Sequence, residues 1–296
     1  MFKFDFLRYR LACGIFSFLI MAGFAGTYYY KVATRGYGFT YSVDFIGGTQ
    51  ILFRFAQPVT ESHLKQILEK HNFLNPVMRN FSSHEILVRI ADFSSDTQQL
   101  ADNMKAAIRQ EVPDNRVEIL SIDSVGSGVG EMMRWKSVRA VLFGLIAMLM
   151  YIGLRFWSIA YGMGALISLF HDAVVILLCF LLLDKEISMN VIGAILLILG
   201  YSINDTIVIF TRIRDNLKTM KNASIEHVVN VSLNQTLRRT ILTSFATSLV
   251  VAALVAFGGP ALRDLSLALL IGIIFGTYSS IYIASSVMLL LYKDSK

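Results

Sequence analysis

The sequence predicts an α-helical membrane protein that has six transmembrane helices and one α+β domain outside the membrane. Hydrophobic residues make up 55% of the chain and charged residues only 16%, whereas soluble domains carry about 25% charged residues. A transmembrane helix needs about 20 apolar residues. Six blocks of that kind lie at residues 11–30, 138–154, 158–183, 187–210, 240–258 and 265–292. This composition excludes a soluble enzyme, and we expect no enzymatic activity.

The apolar blocks divide the chain into three parts. Residues 1–30 contain the N-terminus and the first helix, residues 31–137 form a polar domain with a terminal hinge, and residues 138–296 hold the other five helices. The last part includes a predicted polar loop at 211–239. A cleaved signal peptide is an alternative interpretation of the first block, because it has a basic start followed by an apolar run.

The net charge of +6 is distributed as membrane topology predicts, and it does not indicate nucleic-acid binding. Residues 31–137 contain as many acidic as basic side chains, whereas the excess of Lys and Arg lies in 211–239 and near the two termini. Basic residues in short loops mark the cytoplasmic side. We therefore expect both termini in the cytoplasm, the polar domain on the opposite side, and lipid around the helices.

The polar domain shows the order strand, helix, strand, strand, helix, strand, which predicts a split βαβ, ferredoxin-like fold. Apolar residues alternate in the first strand and recur at helical spacing in both helices. A capping box at Ser95 and Gln98 starts the second helix. The predicted elements are Thr49–Phe55, Thr60–His71, Val77–Phe81, a strand from Glu85, a helix that ends before Pro113, and Arg116–Ile122. The following VGSGVG segment lacks nucleotide-loop spacing and is interpreted as a flexible hinge.

Two ionisable residues near the cytoplasmic ends of the fourth and fifth spans form the first candidate site. Asp205 lies before the end of one span and Arg239 at the start of the next, so an antiparallel hairpin would bring them to similar depth. An ionisable group inside a membrane is a functional candidate by default. Burial favours the neutral acid and a nearby arginine favours the carboxylate. Both a proton relay and a static ion pair remain open.

A second group of polar residues lies within the third and fourth spans. His171 and Asp172 are adjacent near the middle of the third span, and Asn204 precedes Asp205. Neighbouring residues point to different faces of a helix, so His171 and Asp172 need different partners. A functional polar network and a structural hydrogen-bond network both remain possible. No histidine spacing indicates a metal site, and we expect neither a metal nor a cofactor.

The sixth span carries a small-residue seam that predicts close helix packing. Small residues let helix backbones approach each other in a membrane. The pattern does not say whether the partner helix belongs to this chain. The seam consists of Ala268, Gly272, Gly276 and Ser280.

Four segments of the chain resemble the SecF family of bacterial protein-export membrane proteins. The match covers nearly the whole chain in the expected order. The segments are VDFIGGTQI (43–51), GYSINDTIVIFTRIRDN (200–216), NQTLRRTILTS (234–244) and FGGPALRDLSLALLIGIIFGTYSSIYIAS (257–285).

This resemblance implies a fold similar to half of a resistance-nodulation-division transporter, with SecD as the other half. It also implies a location in the bacterial cytoplasmic (inner) membrane with a periplasmic domain. The implied function is proton-motive-force-driven completion of polypeptide export, in partnership with the SecYEG translocon, indirectly with SecA, and with unfolded secretory polypeptides. The coupling ion would be the proton. Asp205 and Arg239 match family positions that are implicated in proton conduction.

The chain carries the glycine motif of the family and departs from the family pattern at one position. The DFIGGT signature contains Asp44, Gly47, Gly48 and Thr49, and its glycines predict a sharp backbone turn. Thr211 stands where the family commonly has an acid, so any role of that acid is either absent here or taken over by Asp215. Two rival functions remain, a structural scaffold of the translocon and a proton-coupled exporter of small molecules.

Overall fold

The computed structural model describes residues 4–73, 76–91 and 96–292. A short 3₁₀ turn (Leu7–Tyr9) precedes the first helix, and a π-helical turn (Ser280–Ala284) separates the last two. In chain order the elements are α1 (Arg10–Arg35), α2 (Val43–Ile46), β1 (Gly48–Phe55), α3 (Glu61–Lys70), β2 (Val77–Ser82), β3 (Glu85–Ile90), α4 (Thr97–Glu111), β4 (Val117–Val125), α5 (Ser127–Phe156), α6 (Ile159–Leu182), α7 (Met189–Thr219), α8 (Ile225–Phe257), α9 (Gly259–Ser279) and α10 (Ser285–Leu291).

These elements form two compact units. The first consists of residues 1–40 and 139–296, and the second is Tyr41–Val138. Among the described residues, six helices are long and apolar enough to cross a membrane, which agrees with the predicted number. Their spans are Leu7–Arg35, Gly128–Phe156, Ile159–Leu182, Met189–Thr219, Ile225–Phe257 and Leu262–Leu291.

The second unit has the predicted split βαβ fold. Its four strands are ordered β2-β3-β1-β4, and every neighbouring pair is antiparallel. The predicted inward face of β1, formed by Ile51, Phe53 and Phe55, lies in a core shared with both helices of the unit. Leu64 from α3 and Met104 from α4 are fully buried in the same core. The alternation in the sequence therefore identified the buried face correctly.

Two local features of this unit differ from the expectations. The predicted cap Ser95 lies outside the described residues, and Asp96 caps α4 by accepting a hydrogen bond from the backbone N–H of Gln99 at 2.9 Å. The predicted hinge is mostly regular structure. Val125 ends β4 and Ser127 begins α5, so Gly126 is the one residue between the two elements.

Residues 211–239 are not a loop, and this part of the predicted domain organisation was wrong. Helix α7 continues to Thr219 and α8 begins at Ile225. Polar pairs join the two helix extensions: Arg212 Nε donates to Gln235 Oε1 at 2.6 Å, and Asn216 Nδ2 donates to Ser232 Oγ at 2.8 Å. Hydropathy falls where a helix leaves the membrane, but the helix itself persists because its polar side chains bond across the hairpin.

The centre of the membrane unit is built around α6 and α7. Ile176 and Phe180 of α6, together with Ile198 and Phe210 of α7, are almost entirely buried. Phe156 at the end of α5 stacks on Tyr161 of α6 with ring centroids 5.0 Å apart, and Phe210 of α7 meets Tyr161 edge-on. These buried contacts position the polar side chains of the two helices.

Candidate functional site

Asp205 lies on the buried side of α7, where it faces α8. Its side chain is 5% exposed. The carboxyl group interacts with the Ser244 hydroxyl of α8 and electrostatically with Arg239. No direct ion pair joins Asp205 to Arg239 in the part of the chain that the structure describes. The two residues therefore share one electrostatic environment without the tight contact of a static salt bridge.

Arg239 lines an open cavity between α7 and α8. The cavity has a volume of about 230 Å³ and is lined by Ile207, Val208, Thr211, Arg212, Asp215, Thr236 and Arg239. The neighbouring Arg238 is exposed and is not among the lining residues. Thr211 and Asp215 lie one helical turn apart in this cavity, so Asp215 places a carboxyl group in its wall.

His171 and Asp172 are buried together, but Asn204 lies apart from them. Asp172 is 0% exposed, and its Oδ2 accepts a hydrogen bond from Ser202 Oγ of α7 at 2.6 Å. His171 Nδ1 is 3.5 Å from Asp172 Oδ1, which is too far for a good hydrogen bond. Asn204 is exposed on α7. Of the three residues in the predicted network, the structure brings together only His171 and Asp172. Asn204 is exposed at a separate position of the membrane span.

The small-residue seam of α9 lies against α7 of the same chain. A Cβ atom added to Gly272 would lie 2.5 Å from Ile198 Cγ1, and one added to Gly276 would lie 3.2 Å from Ser202. Ala268 and Ser280 are fully buried. Ser280 Oγ also lies 2.9 Å from Thr206 Oγ1. The seam thus brings the α9 backbone close to the polar residues of α7.

The DFIGGT motif makes the turn that leads into β1. Gly47 and Gly48 have φ angles of 78° and 105°, which favour glycine. A Cβ atom on Gly48 would lie 2.5 Å from the carbonyl oxygen of Ile90. Asp44 accepts a hydrogen bond from Ser42 Oγ at 3.0 Å, and buried Thr49 bonds Ser124 at 2.8 Å. These contacts give the motif a structural basis.

The hydroxyl groups that surround the two buried acids were not predicted from the sequence. Ser244 lies beside Asp205, its hydroxyl is 2.7 Å from that of Thr277 on α9, and Ser202 binds Asp172. A Ser or Thr in an apolar span is too common to be singled out. The spacing of Ser202 and Asp205 was the one signal available in the sequence. Ser202 lies three residues before Asp205 on α7, and residues at this spacing neighbour each other on one helix face.

Two family models match the chain. Residues 104–294 match the model described as "Protein export membrane protein SecD/SecF, C-terminal", and residues 36–59 match the "SecD/SecF GG Motif". The first model covers more than half of the chain. The second includes the DFIGGT turn described above.

Curated proteins and solved structures show the same relationship. The protein translocase subunit SecF of Thermodesulfovibrio yellowstonii is 37% identical over 86% of this chain and 84% of its own length. SecF of Escherichia coli O157:H7 is 35% identical over 97% of this chain and 87% of its own length.

The crystal structure of SecDF from Thermus thermophilus, titled a translocon-associated membrane protein, superposes with a TM-score of 0.85 at 34% identity over 97% of this chain. A SecDF structure in a super-membrane-facing form gives a TM-score of 0.69 at 34% identity, over 98% of this chain and 39% of that one. This chain spans 38% of the Thermus SecDF chain. The chain therefore belongs to the SecF family of protein translocase subunits, which are membrane components of protein export.

Proposed function

We propose that this chain acts with SecD in the bacterial cytoplasmic membrane and uses the proton-motive force to complete the export of secretory polypeptides. The observation that carries the proposal is Asp205, a buried acid that interacts with Arg239 without a direct ion pair among the described residues. A buried acid near a loosely placed arginine can bind and release a proton when hydration or the arginine distance changes.

The cavity beside Arg239 supports water access from one side of this pair. Arg239 and Asp215 line the cavity, and Asp205 lies on the neighbouring turns of α7. Water that enters this cavity would accept the proton that Asp205 releases. Each proton that crosses a potential of 100 mV supplies about 2.3 kcal/mol, which is comparable to the free energy of breaking several helix contacts.

The proposed working cycle links this proton to the outer domain. Protonation of Asp205 removes its attraction to Arg239 and allows α7 and α8 to repack. Helix α5 follows β4 after the single residue Gly126, so α5 offers a continuous element that transmits the movement. The outer domain would then pull or release the emerging polypeptide, which SecYEG conducts after SecA has acted.

The charge distribution supports a topology with cytoplasmic termini and a periplasmic domain. At the proposed outer end, Lys31 and Arg35 pair with Asp184, and Lys185 pairs with Asp264 at 2.5 Å. The helix extensions around 211–239 carry the excess of basic residues, which is typical of the cytoplasmic side. Labelling of single cysteines at exposed positions 37 and 221 with a membrane-impermeant reagent tests this. We expect labelling of intact cells at 37 and not at 221.

The SecD partner is inferred from the comparison with SecDF, in which this chain covers only 38% of the solved chain. The exposed Asn204 on α7 is consistent with a neighbouring helix, because an amide facing lipid is unfavourable. We expect that SecD co-purifies with this chain.

Secretion of a reporter protein by cells that depend on Asp205→Asn tests the proposal. We expect export to fall by about a hundredfold, the usual range for loss of a positioned proton-transfer group, while membrane abundance and SecD co-purification stay normal. The Asp205→Glu variant keeps the acid and should retain part of the activity. Normal export by Asp205→Asn would rule out Asp205 as a proton carrier and favour the scaffold function.

A further inference from the structure

We propose that Asp172 is a second proton-binding site, placed in the same transport path as Asp205 and connected to it through α9. This inference rests on the proposed function. It assigns a transport role to a buried acid that is on a different helix from Asp205 and has its own partners.

The surroundings of Asp172 satisfy only one of its two carboxyl oxygens. Oδ2 accepts the Ser202 hydrogen bond, whereas Oδ1 is buried, makes no hydrogen bond of good geometry among the described residues, and has His171 Nδ1 3.5 Å away. Both ring nitrogens of His171 are buried without a hydrogen bond among the described residues, and Nδ1 is the one that faces Asp172 Oδ1. An unpaired buried charge is very costly. A proton on Oδ1 removes that charge, and the same oxygen releases the proton when the site opens.

Other titratable groups near Asp172 come from three helices. His171 belongs to α6 itself, and its ring centroid lies 6.1 Å from that of Tyr278 on α9. The Tyr278 hydroxyl in turn donates to the backbone carbonyl of Cys13 on α1 at 2.8 Å. On α7 the nearest acid is Asp205, three residues beyond Ser202. His171, with Nδ1 3.5 Å from Oδ1, is therefore the nearest titratable group to Asp172.

Helix α9 contacts the surroundings of both acids. Toward Asp172, the Ser279 hydroxyl interacts with the carboxyl group, and Ser280 Oγ donates to the Ser202 carbonyl at 3.3 Å. Toward Asp205, the Thr277 hydroxyl lies 2.7 Å from that of Ser244. Thr277 and Ser279 of α9 and Ser280 of the following π-helical turn lie within one turn of each other. A shift of this turn therefore changes the hydrogen bonding of both acids at once.

The same turn of α9 is irregular and closely packed. The π-helical turn begins at Ser280, and such turns are frequent at functional sites. Gly276 lies against Asp172, because an added Cβ atom would be 3.5 Å from Oδ2. The close approach leaves little freedom for Asp172 unless α9 itself moves. Proton binding at Asp172 is thus tied to the position of α9.

Asp172 of α6 and Asp205 of α7 lie at different depths, which can be compared along α7. Ser202 marks the level of Asp172, and Asp205 is three residues further toward the end that we propose to be cytoplasmic. At a rise of 1.5 Å per residue, this difference is about 4.5 Å. Asp172 is therefore placed to receive a proton from the periplasmic side before Asp205 does.

Infrared titration of the purified complex with SecD, together with proton uptake by proteoliposomes that contain it, tests the inference. The wild type should show two carboxylic acid C=O bands that disappear as the pH rises. Asp172→Asn should remove one of them and lower proton uptake by about a hundredfold, and Asp205→Asn should remove the other. Ser202→Ala should change the frequency of the Asp172 band alone, because it removes the hydrogen bond to Oδ2. This variant keeps the inference testable if Asp172→Asn fails to assemble.

Ser168→Ala is the matched control. It removes the 3.0 Å hydrogen bond from Ser168 of α6 to Ser279 but leaves both acids, so both bands and the uptake should persist. The inference is overturned if Asp172→Asn removes no titrating band, or if uptake stays normal in this variant while Asp205→Asn abolishes it. Normal uptake in both variants would instead contradict the proposed function, and the inference with it.

Discussion

Gly272 of α9 packs directly on Ile198 of α7. A Cβ atom at Gly272 would lie 2.5 Å from Ile198 Cγ1 and 2.8 Å from its Cδ1 and Cγ2, so even one methyl group forces the helices apart. We expect Gly272→Ala to destabilise the protein by about 1 to 3 kcal/mol, measured by thermal unfolding in detergent.

Gly193→Ala is the control for this prediction, since nothing lies within 4 Å of a Cβ atom at Gly193. In a double-mutant cycle, Ile198→Ala should cost less stability in the Gly272→Ala variant than in the wild type, because it makes room for the methyl group. Equal unfolding temperatures for the Gly272→Ala and Gly193→Ala variants would show that the seam is not tightly packed.

Gly130, in the first turn of α5, lies against the DFIGGT turn. An added Cβ atom would be 2.9 Å from the backbone nitrogen of Gly47 and 3.0 Å from the carbonyl carbon of Phe45. Because backbone atoms cannot rotate away, we expect Gly130→Ala to destabilise the α+β unit (Tyr41–Val138) by about 1 to 3 kcal/mol. Faster limited proteolysis of that domain would report the change.

Gly128→Ala is the matched control in the same helical turn, because a Cβ atom there meets nothing within 4 Å. Alanine also favours a helix over glycine by about 1 kcal/mol. The Gly128→Ala variant should therefore resist proteolysis at least as well as the wild type. Similar proteolysis of both variants would argue against a close contact between α5 and the DFIGGT turn.

Asp184, between α6 and α7, should make stability depend on pH. A hydrogen bond from Lys31, aided by one from Arg35, holds the pKa of the Asp184 carboxyl below its usual value. A lowered pKa in the folded state stabilises the protein above the unfolded value of about 3.9, and this contribution is lost as the pH falls through the folded-state pKa. Asp184 is half-exposed, so the effect should be about 1 kcal/mol or less.

Thermal unfolding of the wild type and Asp184→Asn between neutral and acidic pH measures this contribution. The wild type should be the more stable at neutral pH, and the difference should vanish once Asp184 is protonated. A difference that stays constant over this range would mean that the ionisation of Asp184 does not contribute.

Arg239 and Arg238 are adjacent, but only Arg239 lines the cavity and interacts with Asp205. Arg239→Gln should lower reporter export by about a hundredfold, because the charge that favours release of the Asp205 proton is gone. Arg238→Gln should export normally. Equal defects in the two variants, with normal assembly, would point to a general need for positive charge at this end of α8.

Much of the architecture follows from the sequence, because hydropathy and alternation record burial directly. The six spans and the inward face of β1 are examples. The extension of α7 and α8 through residues 211–239 was not predictable from hydropathy, since it depends on polar pairs such as Arg212 with Gln235. Helix rotation likewise decided that Ser202 reaches Asp172 and that Asn204 does not, and no single sequence specifies that rotation.

Proton uptake by proteoliposomes that contain the purified complex with SecD tests the central claim most directly. An imposed membrane potential drives uptake, and a trapped pH-sensitive dye reports it. The account predicts that Asp205→Asn lowers the rate of uptake by about a hundredfold while the complex stays intact. An unchanged rate in this variant would contradict the claim that Asp205 carries the proton.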